Sequence, residues 1–486
     1  MFIRHKPIWM VLVAAVTGAG QLSCKKLVTV PEPVNSITTT EVFNFDAQGA
    51  SAMAGVYNQM INGQLSFSNG YVTLLAGMSS DELFYYGTTS DFNITAFAPN
   101  QLLYNNSYTS TVWTTAYKTI YGANSVIEGV AASHSDMLTD SARKELTGEA
   151  KFVRAFCYFY LVNLYGDVPL ALTVDFNDTR YMARTPAAKV YEQVVQDLKD
   201  AQSLLPKDYS VVTTGATDRT MPNAWAATAL LARAYLYTGK YADAATQAGA
   251  VLANTSLYNL ETDPNKTFLI ASKEAIWQMR QGNGDYNKNG TVEAFNMLPN
   301  PLLTGPAHYC LTASLLNAFE PGDRRRAAWL DSTTNAPAGT YNYYSFKYKT
   351  GGYNAVTGAA PTEYYTMLRL AEMYLVRAEA EANGAAGGTA AAITDLNVLR
   401  SRAGLPALSS SLTASQVTAA VAHERQIELF AEWGHRWLDL KRTGQAKAVL
   451  SAMASKQPWT GDYQLLYPIP PGEILVDHFL EQNPGY

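Results

Sequence analysis

The 486-residue sequence predicts a mainly α-helical superhelix of four stacked helix pairs, with loop-rich and minor β insertions forming a ligand face. Two observations carry this prediction. A helix–turn–helix pattern recurs four times along the chain, so each pair can cover a face that it would leave bare alone. The spacing between the pairs is irregular, and the longest gap, residues 254–361, is rich in strand formers, loops and aromatics. Insertions of this kind collect on one face of a repeat scaffold and carry binding.

At the start, Arg4, His5 and Lys6 precede an apolar run from Ile8 to Val16 and the sequence Gln21-Leu22-Ser23-Cys24, an export signal over residues 1–23. The run is too short to span a bilayer. Leu-Ser-Cys resembles a lipoprotein lipobox, apart from Gln21 where an aliphatic residue is usual, and makes Cys24 the expected lipidation site. Residues 24–40 are rich in proline and threonine without helical period and read as a tether. Residues 41–486 then form a single domain, with an N-terminal part over 41–260 and a C-terminal part over 261–486.

The first pair begins at Asp46, placed to cap a helix that carries Met53, Val56, Tyr57 and Met60 on one face, and its mate runs over 112–132. Between them residues 79–104 set Phe84, Tyr85, Tyr86, Phe92 and Phe97 among turn formers. The second pair carries Leu146, Ala150, Val153, Cys157 and Leu161 up to a stop at 166–169, and its mate opens at Thr185-Pro186 and ends at Leu205-Pro206. In the third, Asn223 caps a helix bearing Leu231, Ala232 and Tyr235, Gly239 and Lys240 turn, and Ala244, Ala248 and Val251 return against it. Small residues at Ala232 and Ala244 permit close approach, an order of large and small that resembles a tetratricopeptide repeat without its tryptophan and proline positions. The fourth pair runs from Tyr364 through Ala382, turns at 384–388 and returns through Ile393, Leu396 and Leu399 to Gly404.

With 36 basic against 41 acidic residues, a net charge of −5 and no basic stripe, the composition argues against a nucleic-acid partner. The 31 tyrosines outnumber the 17 phenylalanines, and tyrosine suits a wet binding surface because its ring is apolar and its hydroxyl polar. Cys157 and Cys310 read as structural thiols, with a pairing between them left open. Residues 285–290 match the first half of a calcium loop, but Asn296 stands where the bidentate glutamate belongs and Glu293 comes too early, so the stretch 285–293 reads as a polar turn, with calcium binding there left open. His423-Glu424 lacks the second histidine of a zinc-protease helix, because Ile427 occupies that place. Instead Glu424, Glu428 and Glu432 line one helical face near Arg425, Arg436 and Asp439, the pattern of a packed ion network.

Five stretches together resemble the SusD/RagB family of outer-membrane nutrient-binding lipoproteins. They are RAFCYFYLVNLYGDVPL from Arg154, ALLARAYLYTGKYADA from Ala229, RLAEMYLVRAEAEANG from Arg369, ERQIELFAEWGHRWLDLKRTG from Glu424, and the terminal YPIPPGEI with QNPGY. The lipoprotein start at Cys24 agrees with them. The resemblance covers nearly the whole chain. It implies a SusD-like superhelix of four tetratricopeptide-like units, no catalysis and no cofactor. It further implies capture of an oligosaccharide or other nutrient at the cell surface, for delivery to a TonB-dependent, SusC-like transporter. Lys25 and Lys26 follow Cys24 where surface-displayed members often carry acidic residues, so display is expected from the family rather than from the local signal. Two other readings stay open from the residues alone, a surface glycoside hydrolase and a helical-repeat scaffold for envelope assembly.

Ligand residues vary within the family and none transfers by motif. The candidates are the aromatics of the two non-helical insertions, Tyr85, Tyr86 and Tyr286, then Phe92 and Tyr309. Asp81, Asn93 and Arg280 lie nearby in sequence and are expected to satisfy ligand hydroxyls.

Overall fold

The computed structural model describes residues 42–61, 65–87, 90–281, 289–299, 307–335 and 340–486. The export signal, Cys24, the tether, Tyr286 and residues 285–288 of the calcium-like stretch lie outside the described residues.

The first helix pair is interrupted. Helix α1 (Asp46–Ile61) is followed by α2 (Tyr71–Ser79), strand β1 (Leu83–Tyr85) and the one-turn α3 (Phe92–Thr95) before its mate α4 (Ser107–Ala132). Asp46 occupies the first helical turn rather than capping it. Its carboxylate accepts from the backbone N–H and hydroxyl of Thr139, at 2.7 and 3.0 Å, and so ties α1 to the start of α5 (Asp140–Tyr165). After the one-turn α6 (Phe176–Thr179), α5 meets its mate α7 (Ala187–Leu204). Thr185 does not cap α7, because the helix begins at Ala187 and Pro186 occupies the capping position. Asp167 supplies the side-chain bond instead, accepting the Ala187 N–H at 2.8 Å.

The third pair is α8 (Ala224–Tyr237) and α9 (Tyr241–Leu252), with the Asn223 side chain accepting the Ala226 N–H at 2.9 Å as its residue type predicts. Helix α8 is buried on all sides, as expected of the central helix of a stack rather than a surface one. That buries Arg233, and the cation is accommodated by a two-bond pairing with Glu372 at 2.6 Å and by the Tyr160 hydroxyl at 3.0 Å.

The long insertion then holds β2 (Ala275–Met279), α10 (Val292–Met297), β3 (Tyr309–Leu311), α11 (Ala313–Ala318), α12 (Arg324–Trp329), β4 (Leu330–Asn335), β5 (Thr340–Ser345) and β6 (Tyr365–Arg369). These strands form three two-stranded antiparallel sheets, β1 with β3, β2 with β6 and β4 with β5. The fourth pair therefore starts later than the sequence predicts. Residues 365–369 are strand, because Met279 and Gln278 lie across from Tyr365 and Thr366, and only from Leu370 does α13 (Leu370–Ala382) begin. Its mate α14 (Gly388–Ala403) ends at Gly404 in the left-handed conformation, as a terminal glycine allows.

Helices α15 (Ala414–Glu428), α16 (His435–Arg442), α17 (Ala446–Leu450) and α18 (Pro471–Val476) complete the chain. The helical face expected to hold Glu424, Glu428 and Glu432 breaks after Glu428. Ala431, Trp433 and Gly434 take positive φ, and a Cβ at Gly434 would lie 2.5 Å from that of Ala76, so only glycine lets this turn press onto α2. An ion network forms nonetheless, but its cations come from elsewhere in the chain, since Arg425 pairs with Asp439 and Arg436 with Asp81. Arg369 reaches Glu428 at 2.6 Å, Glu432 at 2.7 Å and Glu274 at 2.9 Å, while Arg325 and Arg402 also pair with Glu428. Burial raises the Glu428 carboxyl, but the guanidinium groups of Arg402, Arg369 and Arg325 outweigh it and hold the group well below the usual carboxylate range. The terminal QNPGY is pinned to α5 by Asn483, whose amide donates to the carbonyls of Tyr165 and Tyr467 at 2.9 and 2.8 Å. Cys157 and Cys310 are buried and unpaired.

One buried carboxyl behaves in the opposite way to Glu428. Burial raises Glu149 from 4.5 to about 8, with the Tyr57 hydroxyl at 2.7 Å opposing the rise and Glu145 adding to it. Between those values the unfolded chain holds fewer protons than the fold, so this group makes stability fall as pH rises. Urea midpoints should therefore drop from about pH 5 to about pH 8, and Glu149→Gln, whose amide oxygen still accepts from Tyr57, should flatten that slope. An unchanged slope would show that Glu149 ionises in the fold at its ordinary value.

Candidate functional site

The two non-helical insertions meet in the sheet of β1 and β3. Their register sets Leu83 opposite Leu311, Phe84 opposite Cys310 and Tyr85 opposite Tyr309. Leu83 is buried, while Phe84, Tyr85 and Tyr86 towards the end of β1 are half-buried. Beyond the ladder the pairing continues, because the Tyr86 N–H donates to the His308 carbonyl at 2.6 Å. The exposed His308 ring lies flat on Tyr85, with centroids 5.4 Å apart and planes 10° apart. Tyr309 meets the same ring edge-on at 87°. Tyr85 is thus held from two sides with its rotamer defined.

A second wall comes from the first insertion. Asp91 caps the short α3 by accepting the Asn93 N–H at 3.0 Å, and its other oxygen accepts the Tyr108 hydroxyl at 2.7 Å. Asn106, which caps α4, donates to the Asn93 carbonyl at 2.8 Å, so the insertion is latched to the scaffold. Tyr71 stands edge-on to Tyr108 with centroids 5.4 Å apart. The Tyr108 hydrogen bond lowers the Asp91 carboxyl, keeping it ionised, while burial and then Asp91 itself raise the Tyr85 hydroxyl, keeping it a neutral donor. The result is a set of rings with an ionised acceptor beside them, suited to a ligand with C–H faces and hydroxyl edges.

The sequence candidates divide sharply in this frame. Tyr85 and Tyr86 lie on the platform, and Phe92 is 81% exposed on α3 with Asn93 next to it. Tyr309 is 7% exposed and supports Tyr85 from below rather than offering its own face. Asp81 is not available to a ligand. It is 1% exposed, paired with Arg436 at 2.7 and 2.9 Å, and accepts the Ser314 hydroxyl at 3.1 Å. Burial raises its carboxyl, and those Arg436 bonds more than offset the rise. Arg280 is exposed just past β2. Of the calcium-like stretch, Asn289 accepts the Val356 N–H at 3.0 Å, and Glu293 is buried, its carboxyl raised to about 8 by that burial. Among the described residues no group of three or more His, Cys, Asp or Glu side chains is placed to hold a metal ion. Sequence reasoning missed His308, Asp91, Tyr71 and Tyr108. Adjacency to a candidate was the signal for His308, beside Tyr309, and for Asp91, beside Phe92, whereas Tyr71 and Tyr108 lie outside the residues that sequence reasoning weighed.

Residues 34–236 match a SusD-like family described as starch-binding and associating with the outer membrane, and residues 326–486 match the SusD family. SusD-like protein P2 of Formosa agariphila is 25% identical, the match covering 99% of this chain and 100% of that protein. Among solved structures, a SusD superfamily protein from Bacteroides vulgatus superposes with a TM-score of 0.79 at 20% identity, covering 91% of this chain and 99% of that one. A laminarin binding SusD-like protein superposes with a TM-score of 0.74 at 26% identity, covering 91% of this chain and 100% of that one.

Proposed function

Because the chain belongs to the SusD/RagB family, a glycan-binding family, we propose that it captures an oligosaccharide on the Tyr85–His308 platform and delivers it to a SusC-like TonB-dependent transporter at the outer membrane, without cleaving it. The stacked Tyr85 and His308 rings beside Asp91 are the observation that carries the reading. A sugar ring presents C–H groups on its face and hydroxyls at its rim, so the rings supply apolar contact and the carboxylate accepts from the rim. A solved relative is named as laminarin binding, which makes β-glucan oligosaccharides the first probes. Calorimetric titration with neutral oligosaccharides of several linkages should find one class that binds. Chromatography of the same mixtures should show the ligand intact. Release of shorter products would replace this reading with the hydrolase, and failure of every soluble glycan with recovery of a protein partner would replace it with the scaffold.

Attachment is assigned to an acyl chain on Cys24, on the strength of the short apolar run that ends in Leu22-Ser23-Cys24. Labelled fatty acid should enter the wild-type protein, and Cys24→Ala should release it from the outer-membrane fraction. A wild-type protein that takes up no label would overturn the anchor. Mild-detergent extraction should recover the anchored protein with a large β-barrel partner.

A further inference from the structure

A separate cleft of about 410 Å³ is lined by no residue of the platform. One wall is a stripe of α4, with Trp113, Tyr117 and Tyr121 at helical spacing. Phe176 of α6 and Tyr181 just after it form the facing wall, 69% and 48% exposed. The C-terminal α18 closes the third side with Glu473, and Asp477 at its end. This volume and aromatic lining are those of a small-molecule site rather than of a packing defect.

The hydrogen-bond inventory of the cleft decides what it can hold. Three of its side-chain donors are engaged within the fold, while Tyr121, Arg180 and Tyr181 are exposed at its mouth. The Tyr117 hydroxyl donates to the Pro169 carbonyl at 2.7 Å, the Asn124 amide to the Ala171 carbonyl at 3.0 Å, and the Thr179 hydroxyl to the Asp175 carbonyl at 2.8 Å. Arg180 lies at the rim with its guanidinium over Phe176 and Tyr181, 5.7 and 5.2 Å from the ring centroids. The acceptors, by contrast, are open. Asp477 is 8% exposed, and only one of its oxygens is engaged, accepting the Phe479 N–H at 3.0 Å. Among the described residues the Glu473 carboxylate has no hydrogen-bond or ion-pair partner. Its half-buried carboxyl is raised by burial and then by Asp477, with no cation near enough to offset them. A ligand that carries a positive charge matches this pair of carboxylates. An ammonium only donates, and the rings offer their faces to a cation and an apolar body alike.

We propose that this cleft binds a small amphipathic amine, its apolar body against Trp113, Tyr117 and Phe176 and its ammonium N–H groups donating to Glu473 and Asp477. The site is independent of the glycan platform and stands or falls without it.

The test uses phenethylamine, with phenethyl alcohol as its neutral counterpart, on full-length protein carrying 5-fluorotryptophan. The Trp113 signal is assigned by its loss in Trp113→Phe. Phenethylamine should shift that fluorine signal saturably, and the alcohol should bind roughly tenfold more weakly, as the loss of a charge-assisted hydrogen bond implies. Glu473→Gln should weaken the amine by about the same factor and leave the alcohol unchanged, while Phe176→Ala, at an exposed position, should weaken both. Thermal melts matching the wild type keep either variant interpretable. Equal affinity for amine and alcohol would overturn the proposal in favour of a plain apolar docking face, and no shift at Trp113 with either compound would overturn it outright.

Discussion

Arg369→Ala should unfold in urea with a loss of about 3–5 kcal/mol at neutral pH, the cost expected when one partner of a buried ion cluster is removed. Arg369 is 2% exposed and donates to three carboxylates, Glu274, Glu428 and Glu432, and to the Glu428 carbonyl at 2.6 Å. These partners come from the long insertion, from the end of α15 and from the turn that follows it. Removing the guanidinium leaves Glu428 with Arg325 and Arg402, and Glu432 with Lys347, so charge stays buried with fewer cations to match it. The difference should also depend on pH. Since the Glu428 carboxyl is held well below its ordinary value in the fold, its contribution is present above the unfolded value and lost as pH falls through the folded one. The gap between wild type and variant should therefore narrow on strong acidification. A variant within about 1 kcal/mol of wild type at neutral pH would mean that the cluster balances its own desolvation and does not brace the fold.

The double variant Tyr85→Ala with His308→Ala should weaken oligosaccharide binding by about 2–4 kcal/mol, roughly 30- to 1,000-fold, with the melting temperature nearly unchanged. The two rings stack on each other at the surface, so neither fills the core, and together they form the flat apolar face of the platform. Tyr309→Ala is the contrasting control. Its ring is buried beneath Tyr85, so truncation should lower stability by about 3 kcal/mol or more before binding is affected. Calorimetry beside thermal melts separates the two outcomes. Normal binding by the double variant would remove the platform from the function, and an early melt would return both rings to packing.

The stretches that carry the family resemblance are largely occupied in holding the fold. Arg154 pairs with Asp197 on α7, Arg233 with Glu372 on α13, Arg442 with Glu379, and Arg436 with Asp81. This explains why the family and its architecture were legible in the sequence while the ligand contacts were not. Charged residues at helical spacing must be paired once helices stack, and that requirement leaves a visible pattern. Exposed rings face no such requirement and leave none.

What the sequence determined by itself was local. The cap at Asn223, the left-handed stop at Gly404, the small residues Ala232 and Ala244 and the acidic series from Glu424 follow from backbone hydrogen-bond needs and helix period within a few turns. The tertiary structure decided everything that depends on a distant partner. Residues 365–369 became strand because β2 lay alongside them, and Glu432 left its helix where three positive-φ residues turned the chain onto α2. Asp81 was withdrawn from any ligand by Arg436, His308 was laid on Tyr85 by the pairing of β1 with β3, and Glu473 was carried to the aromatic stripe of α4. Each of these joins residues far apart in the chain, and no local period or propensity encodes which of many exposed tyrosines or carboxylates will meet.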